Sequence, residues 1–210
     1  MNLSGRTWLW VLPVGLWALF TFWYTDFKGP LSPAEIERFG DRLEAMGAPP
    51  ARIQRLKRFM EEDSGRQFIM VNALHLAAAP PELPATGPGA PADALMAHYM
   101  EHMYPALLRR ACHPVFSGLA VFTAMDLVGI TGAEHWTRAS LMRYRSRRDM
   151  LEISTNPEFG GRHEYKVAAL EKTIAFPVET QIYLSDPRWL HALLLLAIVG
   201  VADRLTYGKR

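Results

Sequence analysis

Two apolar stretches, one near each end of the sequence, limit what this chain can fold into more than any other feature. Trp8 to Tyr24 holds no charge and carries Trp8, Trp10, Trp17 and Trp23. As a helix rising about 1.5 Å per residue it would be roughly 25 Å long, close to the hydrocarbon thickness of about 30 Å. Tryptophans near its ends suit the two interfacial belts of a bilayer. A cleaved signal peptide is the competing expectation, but such a segment closes on small residues, and this one ends Phe22-Trp23-Tyr24-Thr25-Asp26. Residues 7–25 are therefore expected to form a transmembrane helix.

The second stretch, Leu190 to Ala202, reads LHALLLLAIVGVA. It is shorter, and an apolar run of about 10–14 residues more often packs in a core. Trp189 and Tyr207 extend it, since they would stand about 27 Å apart along a helix, as paired interfacial anchors do. Arg204 can snorkel toward water, with Asp203 beside it. Residues 189–207 are read as a second span. Two spans place both tails on one side. Arg6, Arg204, Lys209 and Arg210 against Asp203 favour cytoplasmic tails, and hence a periplasmic domain, in a bacterial inner membrane. Lys28, Arg38 and Arg42, close behind the first span, pull the other way.

Residues 25–188 have soluble character. A formal charge of +2 is too small to argue for nucleic acid. The single cysteine, Cys112, excludes an internal disulfide and makes no metal cluster by itself.

Residues 32–63 are expected to form a helical hairpin. Ser32-Pro33-Ala34-Glu35 is a capping box with proline at the first helical position. Ile36, Phe39, Leu43 and Met46 follow at helical spacing until Gly47. Pro49-Pro50 opens a second helix with Ile53, Leu56, Phe59 and Met60 on one side and charge elsewhere. The period then changes. Gln67 to Leu76 reads as a buried strand, residues 77–92 as a Pro- and Gly-rich loop, and Asp93 to Ala111 as a helix that Pro105 should kink. Strands follow at 115–122 and 136–145. Ser146 caps a short helix through Ser154, His163 to Glu171 is a further helix, and Thr173 to Val178 is a fourth strand, with a candidate extension to Leu184. The order β-α-β-β-α-β is the split, ferredoxin-like arrangement, an α+β domain over residues 67–185. Phe68, Met70 and Leu74 alternate with Ile69, Val71 and Ala73, so both sheet faces are apolar, which suggests sheet-to-sheet dimerisation.

From Phe68 to Val178 the sequence resembles a bacterial family of dimeric α/β-barrel proteins of unknown function. The matching pieces are Met70-Val71-Asn72-Ala73-Leu74, Pro105, Met142-Arg143-Tyr144-Arg145-Ser146-Arg147, Asn156-Pro157-Glu158-Phe159, His163 and Ala168-Ala169-Leu170. The resemblance covers about half the chain and leaves out the hairpin and both membrane segments. It implies a fold more than a function. Related barrels include cofactor-free monooxygenases, haem-degrading enzymes and isomerases, an analogy of fold alone.

Three sets of residues compete for chemistry. Asn72, Trp136 and His163 are similar in type to an oxygenase pocket that orients a flat substrate; against this, a buried asparagine usually ties strands together. His98 and His102, four apart on one helix with His113 nearby, have a spacing that can hold a metal, but Tyr99 follows His98 where a HExxH motif needs glutamate. Arg138, Arg143, Arg145, Arg147 and Arg148 are the densest basic cluster. They would bind an anionic ligand, a lipid headgroup or an acidic partner, or else pair with Asp149, Glu152 and Glu164. There is no phosphate loop, dinucleotide fingerprint or Ser-His-Asp order.

Trp17 and Phe20 lie too deep for an interfacial belt. They and Gly15 would suit another protein's helices or a haem, pigment or quinone, although no cofactor is predicted from any motif. The expected function is a membrane-anchored accessory or assembly subunit. Its partners would be lipids, reached through Trp8, Trp10, Trp17, Trp23, Trp189 and Tyr207, and other integral membrane proteins or a second copy of itself. The rival expectation is a membrane-tethered enzyme or binder of a small hydrophobic ligand.

Overall fold

The computed structural model describes residues 4–208, apart from the side chain of Phe159. Lys209 and Arg210 of the charged tail lie outside the described residues. Along the chain run α1 (Gly5–Tyr24), α2 (Pro33–Ala45), α3 (Pro50–Glu61), β1 (Phe68–Leu76), α4 (Ala92–Arg109), β2 (His113–Leu119), β3 (Arg138–Tyr144) and α5 (Arg147–Ser154). A 3₁₀ turn (Pro157–Arg162), α6 (His163–Ala168), β4 (Leu170–Val178) and α7 (Pro187–Tyr207) complete it. The chain divides into two compact units: α1 with α7, and Lys28–Glu179.

In the first unit, α1 and α7 are each long and apolar enough to cross a membrane. They pack as an antiparallel pair. At one end Arg6 Nε and Nη2 donate to the two carboxylate oxygens of Asp203, both at 2.8 Å, and the guanidinium lies 5.8 Å from the centre of the Tyr207 ring. Toward the other end Trp17 Nε1 donates to the Arg188 carbonyl at 3.0 Å, and Phe20 meets His191 edge-on at 5.0 Å. Arg188 also donates to Thr25 Oγ1 at 2.9 Å and to Asp186, the residue that caps α7. Trp17 and Phe20 thus touch the chain's own second helix, and Asp203 pairs with Arg6 rather than sharing charge with Arg204. A bidentate ion pair is strong wherever water is scarce. Trp8, Trp23 and Trp189 remain exposed on the outside of the pair.

In the second unit, Ser32 and Glu35 form the full capping box. Gly65 (φ +72°) is required as glycine: a Cβ there would come within 2.7 Å of the Gly29–Pro30 backbone. The hairpin is not a separate body, as the division into residues 32–63 and 67–185 had it. Phe39 and Met60 share one core with Phe68 of β1 and Met150 and Leu151 of α5, because the hairpin's apolar stripe needs a surface to bury against. Residues 180–185, expected in the α+β domain, group instead with the helical pair.

Four strands make one antiparallel sheet in the order β2-β3-β1-β4. Pro114 and Pro177 lie in the two outer strands, where a missing N–H is tolerated. The register shifts just after Pro114. Element limits also move from the expected ones. β2 begins at His113 and stops at Leu119, β3 loses a residue or two at each end, and α4 stops at Arg109 because Ala111 adopts φ 52°. The helix expected over 163–171 ends at Ala168. Leu170 and Glu171 start β4, which does not continue past Val178.

Two helix-side clusters lie beyond the first. Ala92 and Leu95 of α4 meet Tyr165 and Ala169, with Leu76 packed against them. Ala106 and Leu107 meet Cys112 and Ile153, with Met142 and Tyr144 alongside. Phe68, Met70, Leu76, Met142 and Tyr144 all belong to one sheet face, so the helices cover that face.

Candidate functional site

Asn72 sits at the middle of β1 on the helix-covered face. Its Nδ2 donates to the carbonyls of Met70 (3.0 Å) and Ser140 (3.2 Å), so its amide ties β1 to β3. Trp136 precedes β3 and stacks beneath Lys172, whose amine is 5.1 Å from the indole centre. Lys172 pairs with His75 in register, and these two belong to the opposite sheet face from Asn72. His163 opens α6, above the helix-covered face, with its ring 6.2 Å from that of Tyr99. The expected set of Asn72, Trp136 and His163 is therefore not brought together. Alternation along a strand puts neighbours on opposite faces, and that separation defeats a shared pocket.

The arginine cluster is distributed along the domain and tied down. Arg138 pairs with Asp93 at 2.6 Å. Arg143, fully buried, donates to Gln67 Oε1 at 2.7 and 3.0 Å and to the Ala111 carbonyl at 2.5 Å. Arg145 holds Asp149 at 2.7 Å. Arg147 reaches Asp63 at 3.4 Å and Glu179 at 3.5 Å, with its guanidinium 4.3 Å from the Phe59 ring centre. Arg148 clamps Glu35 at 2.6 and 3.1 Å and, with help from Ser32, holds the Glu35 carboxyl down at about 2. Of the partners foreseen for this cluster, Asp149 is held by Arg145, while Glu152 pairs with Arg38 and Arg42. These cations join hairpin, sheet and α5 rather than facing outward as a ligand site.

His98 Nδ1 lies 3.4 Å from Glu101 and its ring packs on Tyr165 at 4.5 Å. Among the described residues no group of three or more His, Cys, Asp or Glu side chains gathers as metal ligands would, so His98 and His102 do not converge with His113. Cys112 is fully buried and burial pushes its thiol up to about 12, which keeps it out of thiolate chemistry.

Two features remain. One is cationic: Lys166 of α6 lies over the Tyr99 ring at 5.8 Å, beside His163. The other is apolar. The sheet face away from the helices carries Val71 of β1, Leu141 of β3, Phe116 of β2 and Ile174 and Phe176 of β4, aligned by register. Phe116 is 52% exposed, Ile174 41% and Phe176 49%. Beyond β2 the connecting segment adds Val121, Phe122 and Met125, all largely exposed. The alternation of β1 pointed to this second apolar face.

No known family profile matches the chain, and no curated protein matches it. Among solved structures, a protein of unknown function from Rhodopseudomonas palustris is similar at 18% identity and a TM-score of 0.51, covering 62% of this chain and 94% of that one. The methylated form of the same protein is similar at 17% identity and TM-score 0.51, covering 63% and 93%. At such identity the likeness concerns the fold alone.

Proposed function

We propose that this chain is a membrane-anchored accessory or assembly subunit whose α+β domain makes protein–protein contact through its open sheet face. The observation that carries the reading is the exposure of Phe116, Ile174 and Phe176 beside Val71 and Leu141. An antiparallel sheet open to water normally alternates to polar residues on that side, and a contiguous apolar patch marks an interaction surface. The strand order β2-β3-β1-β4, with helices between β1 and β2 and between β3 and β4, supports assignment to the ferredoxin-like, dimeric α/β-barrel type, in which two sheets stack. The partner is another integral membrane subunit or a second copy, and the mass of the extracted assembly tells these apart.

The test is the size of the full-length protein extracted from its own membrane, measured by light scattering. Phe176→Glu places a charge at the centre of the contact and should reduce the assembly to single copies. Leu108→Glu, equally exposed but on α4, should leave it intact. An unchanged assembly in Phe176→Glu would remove the sheet face from the proposal. We further infer cytoplasmic tails, a periplasmic domain and residence in a bacterial inner membrane, on the basic residues of the tails. Protease added to intact spheroplasts should then cut within residues 77–92, and protection of that loop would reverse the orientation. The rival reading, an enzyme or hydrophobic-ligand binder built on Asn72, Trp136 and His163, has no converged constellation to support it.

A further inference from the structure

The segment between β2 and β3 projects from the domain with apolar side chains turned outward. It leaves β2 at Leu119 and rejoins the sheet at Arg138. Its base is closed like a hairpin: the Ala120 amide donates to the Thr137 carbonyl at 2.9 Å, and the Ala124 amide to the Glu134 carbonyl at 2.8 Å. Lys172 of β4 donates to the Gly132 carbonyl and lies over the Trp136 ring, and Ala133 is buried. The projection is therefore held in place at its root. Gly129 and Gly132, at φ 72° and 71°, turn the chain near its tip. Yet Val121 and Val128 are 97% and 90% exposed, Phe122 and Met125 75% and 84%, and Ile130 54%. Side chains this open add almost nothing to folding, and their concentration on one projection goes beyond the scattered apolar residues of an ordinary surface.

Three properties favour a lipid surface over a protein as the occupant. The first is the tether. Residues 25–32 join α1 to α2, and residues 179–186 join β4 to α7; fully extended, either stretch reaches about 30 Å at most. With α1 and α7 in a bilayer, the domain stays within that distance of it, and the tether makes the lipid an intramolecular neighbour at high effective concentration. The second is shape. Side chains standing free in solvent need a separate pocket each on a solid partner, whereas a fluid surface closes around them. The third is charge: from Pro114 to Ala133 the only charged residue is Asp126, so little charge has to be withdrawn from water. The backbone limits the depth. Past Ala124 no backbone pair closes the loop among the described residues, and open N–H and C=O groups are not tolerated in hydrocarbon. The side chains can enter only the boundary between headgroups and acyl chains.

We propose that the β2–β3 projection, through Val121, Phe122, Met125, Val128 and Ile130, dips into the interface of the same bilayer that α1 and α7 cross. It is a third membrane contact, and it sets which side of the domain faces the lipid. Lipid without net charge suffices, because the projection carries no lysine or arginine. The inference rests on the membrane-anchored reading and is independent of the open sheet face.

Full-length protein is placed one copy per phosphatidylcholine nanodisc, and an environment-sensitive fluorophore is attached through Val128→Cys. Leu196→Cys in α7 and Gln54→Cys on α3, both exposed positions, are labelled separately; Cys112 is fully buried, and protein without a new cysteine sets the background. The Val128 label should emit to the blue and lose fluorescence to lipid carrying a nitroxide near the headgroup, not to aqueous iodide. Leu196 should be quenched by a nitroxide deep in the acyl chain, and Gln54 by iodide alone. Lipid quenching at Val128 should persist in Phe176→Glu and be lost when Phe122→Asp and Met125→Asp are combined. Iodide quenching at Val128 beside lipid quenching at Leu196 would overturn the projection's role and leave the anchors standing. Iodide quenching at Leu196 would remove the anchors, and the proposal with them. A Val128 label shielded from both quenchers would assign the projection to a protein contact, and lipid quenching at Gln54 equal to that at Val128 would mean unspecific adsorption; either result overturns the proposal.

Discussion

The two faces of the sheet start from the same kind of strand and end in opposite conditions. On one, Phe68, Met70, Met142 and Tyr144 lie under α2 to α6, and Phe68 is almost fully buried. On the other, Val71, Leu141, Ile174 and Phe176 lie in register without such a cover, and Phe176 keeps 49% of its surface. The covered face accounts for the stability of the domain. The open face adds little to folding, and an apolar surface that does little for folding is available for association. At one end of the open face Ile69 and Arg143, paired in register, are buried, and the Arg143 guanidinium donates to Gln67 and to the Ala111 carbonyl.

The largest effect that sharpens this contrast is on unfolding. Phe39→Ala removes a fully buried ring from the hairpin–sheet core and should cost about 3–5 kcal/mol, read by denaturant titration. Phe176→Ala on the open face should cost under about 1 kcal/mol in the same assay while weakening assembly. Equal losses at the two positions would break the comparison. Arg143→Met comes next. It strips Gln67 and the Ala111 carbonyl of a buried donor and should destabilise by about 1–3 kcal/mol.

The smallest expected effect depends on pH. Arg148 holds the Glu35 carboxyl at about 2, below its ordinary 4.5. A depressed carboxyl adds stability that is fully present above the unfolded value and lost as pH falls through the folded one. Wild type should therefore exceed Glu35→Gln by about 1–2 kcal/mol near neutrality, allowing for solvent screening. The gap should close between about pH 4.5 and pH 2. A gap that persists at pH 2 would mean that the Glu35–Arg148 clamp is not its source.

The features legible in the sequence were the local ones. The Ser32–Glu35 capping box, the two apolar end helices and the alternation of β1 each follow from residues a few positions apart. What sequence missed depends on contacts between distant segments. Arg148 finds Glu35 and Arg147 finds Asp63 across the fold, so a dense basic run looked like a ligand site when its counter-charges were simply far away in the chain. Asn72, Trp136 and His163 had suitable chemistry, but strand alternation and the helix layer keep Trp136 on the face away from Asn72. One strand end moved for a local reason that sequence could supply: an outer strand accepts proline, so β2 starts before Pro114.

The claim that the open face is an interface is tested most directly by native mass spectrometry of the full-length protein, released gently from its own membrane. We predict a mass above that of one copy, made up by a second copy or by a defined set of other polypeptides, which falls to a single copy in Phe176→Glu. A wild-type protein that emerges as one copy with no polypeptide attached would contradict it.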